Sequence, residues 1–232
     1  MVLKIITLNI RHGGGSRINL ILLYLNKFID WDIIVLTEFR LNKNSNVLFK
    51  FFEENQFNVA FHKIDSRSNS VLVASKIKAE VNTTEELKEH EHRIIYQTFD
   101  QFRLMGCYFP QKNEKAKVFD YIIDQIKNSS LGLITIGDFN TGKHLIDEKG
   151  SSFYCSEYLH SLEQNRMVDA YRKVHGNVTE YSWYSNSGNG FRIDHIFISE
   201  SLEYAIEECG YDHHPRELKI SDHSAMFLQL KL

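Results

Sequence analysis

Leu133-Ile134-Thr135-Ile136-Gly137-Asp138-Phe139-Asn140 is the stretch from which the rest of the chain can be read. Four β-favouring residues run into a glycine and then present a carboxylate and a carboxamide two positions apart, so both side chains point the same way off a strand's end. An Asp beside an Asn at that place offers one substrate atom a proton acceptor and a neutral donor, without setting two negative charges against a phosphate. The bland alternative is an Asx turn that closes a strand. Other segments of the chain decide between the two.

Immediately upstream, Lys115 to Lys127 carries Val118, Ile122 and Ile126 at helical spacing. Ahead of it, Ile94 to Phe99 and Phe102 to Phe109 flank Asp100-Gln101 as an antiparallel hairpin that Pro110 ends. Thr83 to His92 reads as a charged, solvated excursion. Strands are expected at Asn58 to Phe61 and Val71 to Ser75, and a helix from Val47 to Asn55. Nearer the start, Leu3 to Ile10 is β-rich, and Ile18 to Phe28 places Ile18, Ile21, Leu22, Leu25 and Phe28 on one helical face. Ile33-Ile34-Val35-Leu36 then suits a strand covered on both sides. With the helix as a crossover and the two strands parallel, Asn9 and Glu38 fall on one edge of the sheet. Downstream come a helix near Glu157 to Gln164 and short β runs at Tyr181 to Tyr184, Arg192 to Ile198, Tyr204 to Glu208 and Met226 to Leu232. Strands outnumber helices, and short turns join many of them. The expected fold is therefore a four-layered α/β sandwich, two packed mixed and largely antiparallel sheets flanked by helices.

The 232 residues, 43% hydrophobic, suit one domain over 1–232, with only 2 Pro and no Ser/Gly/Pro-rich linker to divide it. A formal charge of −3 excludes the global positive field of a protein that coats nucleic acid, so any polyanion contact is local or metal-assisted. No apolar run is long enough to span a membrane. The three cysteines, Cys107, Cys155 and Cys209, are odd in number and widely spaced, as reduced thiols of a cytoplasmic protein would be. With no basic leader at Met1 to Ile10, the sequons at Asn82, Asn128 and Asn177 read as coincidence, and no obligate protein partner is evident.

Three more polar groups stand at the edges of apolar runs: Asn9 with Glu38, Tyr108 before Phe109-Pro110, and Arg192-Ile193-Asp194-His195 with Ser221-Asp222-His223. Singly, each reads as a surface acid or a strand end. Together, and in this order, Thr7-Leu8-Asn9, Thr37-Glu38, Tyr108-Phe109-Pro110, Gly137-Asp138-Phe139-Asn140, Arg192-Ile193-Asp194-His195 and Ser221-Asp222-His223 resemble the endonuclease/exonuclease/phosphatase superfamily of metal-dependent phosphodiesterases. Met167-Val168-Asp169-Ala170-Tyr171-Arg172 followed by Tyr181-Ser182-Trp183-Tyr184 is similar to its exonuclease III and apurinic/apyrimidinic endonuclease branch.

The resemblance implies roles. Glu38, with Asn9 close by and Asp222 opposite, would hold Mg²⁺ or Mn²⁺. Asp194 would fix the tautomer of His223, whose other nitrogen would face the scissile phosphate. Asp138 would orient or deprotonate the attacking water, Asn140 would steady it, and Tyr108 would donate to the phosphate or leaving oxygen. Arg192, Trp183 and Phe191 would contact the substrate, with DNA as the expected partner. The chain departs from the abasic-endonuclease pattern after Asn9, where Ile10-Arg11-His12-Gly13-Gly14-Gly15 follows, at Gln111, and at Phe191, where that branch often has Trp or Leu. These departures leave the hydrolytic core intact and keep one rival in view, the same chemistry on a phosphoinositide, phospholipid headgroup or small nucleotide. A second rival, a non-catalytic binding module of the same fold, is opposed by the joint presence of Asn9, Glu38, Tyr108, Asp138, Asn140, Asp194, Asp222 and His223. His90-Glu91-His92 and His213-His214 lack a cysteine at ligand spacing and read as loops, not as zinc sites. Gly13-Gly14-Gly15 reads as a turn between Asn9 and the first helix.

Overall fold

The structure, a computed structural model, describes residues 2–128 and 130–232. Met1 and Ser129, the latter the middle of the Asn128 sequon, lie outside the described residues. In chain order the elements are β1 (Val2–Asn9), α1 (Ile18–Leu25), β2 (Ile33–Phe39), α2 (Ser45–Glu54), β3 (Asn58–Phe61), β4 (Ser70–Ser75), β5 (Glu80–Asn82), β6 (Ile94–Thr98), β7 (Arg103–Tyr108) and α3 (Lys115–Lys127). There follow β8 (Leu133–Asp138), α4 (Glu157–Gln164), β9 (Met167–Asp169), α5 (Ala170–His175), β10 (Trp183–Tyr184), β11 (Gly190–Phe191), β12 (Asp194–Ser199), β13 (Ile206–Asp212), α6 (His214–Glu217) and β14 (Ala225–Lys231).

Two six-stranded sheets, ordered β13-β14-β1-β2-β4-β3 and β5-β6-β7-β8-β12-β9, pack face to face, and β10 and β11 form a small separate hairpin. Within the six-stranded sheets the pairs β1/β2 and β7/β8 are parallel, and the other pairings among the described residues are antiparallel. The parallel pairs are those bridged by α1 and α3, because parallel neighbours need a crossover whereas antiparallel ones need only a turn.

Strand alternation explains the layers. In β1, Leu3 and Ile5 enter the core between the sheets, while Ile6 and Leu8 face the helix side with Ile21 and Leu25 of α1. Ile134 and Ile136 of β8 likewise face the inter-sheet core, and Leu133 packs with Val118 and Ile122 of α3. The result is helix, sheet, sheet, helix. Gly106 in β7 permits the close approach of the sheets, since a Cβ there would lie 2.7 Å from Val73 and 3.0 Å from Val35.

Three local readings are corrected. The excursion at Thr83 to His92 is not simply solvated: it winds into 3-10 turns over Glu85–Arg93, where Leu87 joins the core beneath α3 and His90 is buried against Glu114. The first helix ends at Leu25 and continues as a 3-10 turn to Phe28. The strand expected from Tyr204 begins at Ile206, after a 3-10 segment over Glu200–Ala205. The elements β5, β9, α5 and α6 are too short to show a period in sequence.

Candidate functional site

The inward-facing residues of the central strands are apolar until the strand ends, where they become polar. Tyr108 follows Leu104 and Gly106 on the inner face of β7, Asp138 follows Ile134 and Ile136 on β8, and Asn9 follows Leu3 and Ile5 with Thr7 between. On β12, Asp194 precedes Ile196 and Ile198, and because β12 runs antiparallel to β8 it lies directly opposite Asp138. Glu38 has the opposite parity, but a bulge between Thr37 and Phe39, with Glu38 itself at φ 53°, re-aims its side chain. Alternation and that bulge bring groups from both sheets to one edge.

At that edge the Asn9 amide nitrogen donates to Asp138 Oδ2 at 3.0 Å and Glu38 Oε1 at 3.3 Å, and lies 3.5 Å from His223 Nε2. Its carbonyl oxygen accepts the Arg11 N–H at 2.8 Å. Asn9 therefore turns its NH₂ toward the carboxylates it orients, while its side-chain oxygen accepts the Arg11 N–H. Glu38 also accepts from the Tyr108 hydroxyl at 3.4 Å and from the His12 N–H at 2.9 Å.

His223 Nδ1 lies 2.8 Å from Asp194 Oδ2, and the Ser221 hydroxyl, which donates to the Asn9 carbonyl, accepts the His223 N–H. Asp138 Oδ1 accepts the N–H of Asn140, whose φ of 52° folds the chain back. The Asn140 amide donates to Phe109 O at 2.8 Å, and Lys115 Nζ donates to the Asn140 carbonyl at 2.5 Å. Gly137 makes the geometry possible: at φ 141° a Cβ would stand 2.0 Å from the Cys107 carbonyl.

Burial sets the electrostatics. It raises the pKa of Asp138, reinforced by Asp194 and Glu38 and opposed by His223. Burial alone would lower the pKa of His223, but Asp194, Asp138 and Asp222 together reverse it and raise the value to about 10. The Tyr108 hydroxyl is raised chiefly by burial and then by Glu38 and Asp138, so it remains a donor. Burial also brings Lys115 down to about 8.

A cavity of about 440 Å³ opens over this edge, and Glu38, Asp138, Asn140, Asp222 and His223 line it together with Trp183 and Phe191. Asp138, Asp194 and His223 each offer a ligand atom within 4.8 Å of the others, but the bond between Asp194 and His223 already engages two of them. Asp222 Oδ1 is buried and has no partner. Four carboxylates around one imidazole, one of them with an orphaned oxygen, fit a hard divalent cation bound through oxygen.

Arg192 is elsewhere. Its side chain is 0% exposed and lies between Asp147 (Nε to Oδ1, 2.7 Å) and Asp169 (Nη2 to Oδ2, 2.5 Å). The expectation that it contacts substrate is corrected: a buried guanidinium needs fixed anions, and these two carboxylates supply them. Sequence reading passed over Asp147, which sits in an unremarkable loop, and the pairing of Asp169. It also passed over Asn69, which donates to Tyr108 and whose oxygen accepts from Arg40, because nothing local distinguishes that residue from a turn. Arg11 lies 3.7 Å from Asp222, at the rim of the site.

Comparison with known proteins bears on the family and the fold. The chain is 26% identical over 190 residues to a DNA-(apurinic or apyrimidinic site) endonuclease of Arabidopsis thaliana, covering 61% of this chain and 52% of the relative. It is 28% identical over 173 residues to an exodeoxyribonuclease of Bacillus subtilis, covering 58% and 67%. The matched stretch thus spans about half the length of the first relative and two thirds of the second.

Among solved structures, a 3′ phosphatase from Neisseria bound to a product DNA hairpin superposes with a TM-score of 0.83 at 19% identity over 99% of this chain and 100% of that one. An AP endonuclease from Archaeoglobus fulgidus gives 0.80 at 23% identity, again over 99% and 100%. At these identities the structures speak to the fold. A model of the Endonuclease/Exonuclease/phosphatase family matches residues 6–223, a span that takes in every strand-end group from Asn9 to His223, and the chain belongs to that family.

Proposed function

We propose that the protein is a divalent-metal-dependent phosphodiesterase that hydrolyses DNA, an exonuclease III-like nuclease that incises at abasic sites or trims 3′ ends. One observation carries this reading: polar groups from both sheets line one cavity with an acceptor, a fixed imidazole and an excess of carboxylate oxygen, and the buried Tyr108 hydroxyl bonds to one of those carboxylates. The names of the two curated relatives support DNA as the substrate.

In this reading Glu38 and Asp222 hold Mg²⁺ or Mn²⁺, and Asn9 fixes the Glu38 carboxylate. The ion, when bound, offsets charge that develops on the phosphate and leaving oxygens. Asp138 accepts a proton from the attacking water, and Asn140 holds that water or the phosphate in place. His223, its Nδ1 engaged by Asp194, points Nε2 at a phosphate oxygen and donates to it, and Tyr108 donates to the phosphate or the leaving oxygen. Trp183 and Phe191, on the cavity wall, bear on the sugar or base.

The test is Mg²⁺-dependent cleavage of a labelled duplex with one abasic-site analogue, beside an intact duplex, with Asp138→Asn as control. Cleavage of the abasic strand alone supports incision at abasic sites, and cleavage of both supports a broader nuclease. Silence on both in the presence of Mg²⁺ or Mn²⁺ refutes the DNA reading and favours a small phosphodiester substrate.

A further inference from the structure

A second cavity, of about 580 Å³, adjoins the first and shares Ser152 and Phe191 with it. Its size falls in the range of about 300–1,000 Å³ usual for small-ligand sites. Tyr181 and Tyr184, with ring centroids 5.8 Å apart and planes at 79°, line it together with Lys149 and Asn189. Tyr184 is 41% exposed yet held in place, because the Arg216 guanidinium sits 4.5 Å from its ring centroid and is itself fixed by bonding to Ser224 Oγ. The opposite wall is equally well fixed. Glu148, buried, accepts from Ser152 N, Ser152 Oγ and Phe153 N, and so pins the loop that carries Lys149. Glu148 stays ionised, its oxygens taken up by those bonds and by His144, and Lys149 is the cation among the lining residues.

We infer that this cavity is a subsite for an unpaired nucleotide flanking the scissile phosphate, an inference that rests on the reading of the adjoining site as a nucleic-acid phosphodiesterase. Aromatic rings bind bases by their faces, and in a duplex those faces are covered by neighbouring base pairs, so an aromatic pocket selects a base that has left the stack. Lys149 supplies a contact for the next backbone phosphate, and the Asn189 amide supplies both a donor and an acceptor for a base edge. Rigid rings add the benefit of low ordering cost on binding. The continuity of the two cavities through Phe191 sets the register: one nucleotide presents its phosphate to the cluster of Asp138 and His223 while its neighbour's base enters beside Tyr184.

The experiment titrates a short single-stranded oligodeoxynucleotide containing one 2-aminopurine among thymines into the Asp138→Asn protein in Mg²⁺, and follows the fluorescence of the modified base. Stacking predicts quenching. Adding Tyr184→Ala weakens binding about tenfold, within the range for one base on one ring, whereas Tyr184→Phe retains it. The same base placed within a duplex is not further quenched. An unchanged Kd in Tyr184→Ala, or equal quenching by the duplex, overturns the subsite. Mg²⁺-dependent cleavage of the abasic and intact duplexes by the wild-type protein is read separately. If quenching and its dependence on Tyr184 persist while no cleavage occurs, the phosphodiesterase reading falls and the nucleotide site stands.

Discussion

Arg192→Met separates a structural role from a substrate-binding one. The guanidinium makes four contacts of hydrogen-bond length, at 2.7 and 3.2 Å to Asp147 and at 3.3 and 2.5 Å to Asp169, all fully buried. Removing one partner of a buried ion pair costs about 3–5 kcal/mol, because the anions left behind are desolvated and uncompensated. Asp147 keeps Arg172, whose Nη2 lies 2.5 Å away, whereas Asp169 keeps, among the described residues, the Arg172 backbone N–H. The loss should therefore sit near the lower end, about 3 kcal/mol, or roughly 6–12 °C in Tm for a chain of this size.

The pH dependence follows from the same contacts. Burial works to raise the pKa values of both aspartates, and Arg192 overrides it and holds them low. Their folded values lie below the unfolded value of about 3.9, so this stabilisation is fully present above that pH and fades as the pH falls through the folded values. The difference between wild type and Arg192→Met in urea unfolding should thus be constant from pH 6 to 8 and narrow below about pH 4. A loss under about 1 kcal/mol at pH 7 would refute the structural role. So would reduced DNA binding with an unchanged unfolding midpoint, which would return Arg192 to the substrate.

The remaining predictions test single atoms. Asp194→Asn should leave the fold in place and lower kcat roughly 10²–10⁴-fold with little change in KM, since in the proposed mechanism the His223 orientation acts on the chemical step; steady-state kinetics with an unchanged kcat would contradict it. Gly137→Ala should destabilise by more than about 4 kcal/mol or prevent folding, because the Cβ meets a carbonyl at 2.0 Å; a soluble variant with a wild-type urea midpoint would contradict the strand-end geometry. Mg²⁺ at about 100 times its Kd should raise stability by about 2.7 kcal/mol, and Glu38→Gln should abolish most of that gain; an equal thermal shift in the variant would move the metal away from Glu38.

Much of this was legible in the residues themselves. The short apolar runs of β1, β2, β7 and β8, the helical spacing of α1 and α3 and the polar residues that end the strands are local properties that can be read without the fold. Gly137-Asp138-Phe139-Asn140 and Ser221-Asp222-His223 point to chemistry through the family resemblance that they carry together and in order, since singly each reads as a turn or a strand end. Only tertiary structure decided what their side chains meet. Asn9 and Asp138 are 129 residues apart, and the amide that joins them has its oxygen taken by the Arg11 N–H, a pairing no local pattern announces. Arg192 stands two residues before Asp194 and reads as part of the same site, yet it enters the core because Asp147 and Asp169 arrive there from 45 and 23 residues away. Local sequence sets backbone periodicity and side-chain direction, whereas charge compensation is a sum over neighbours that only folding brings together.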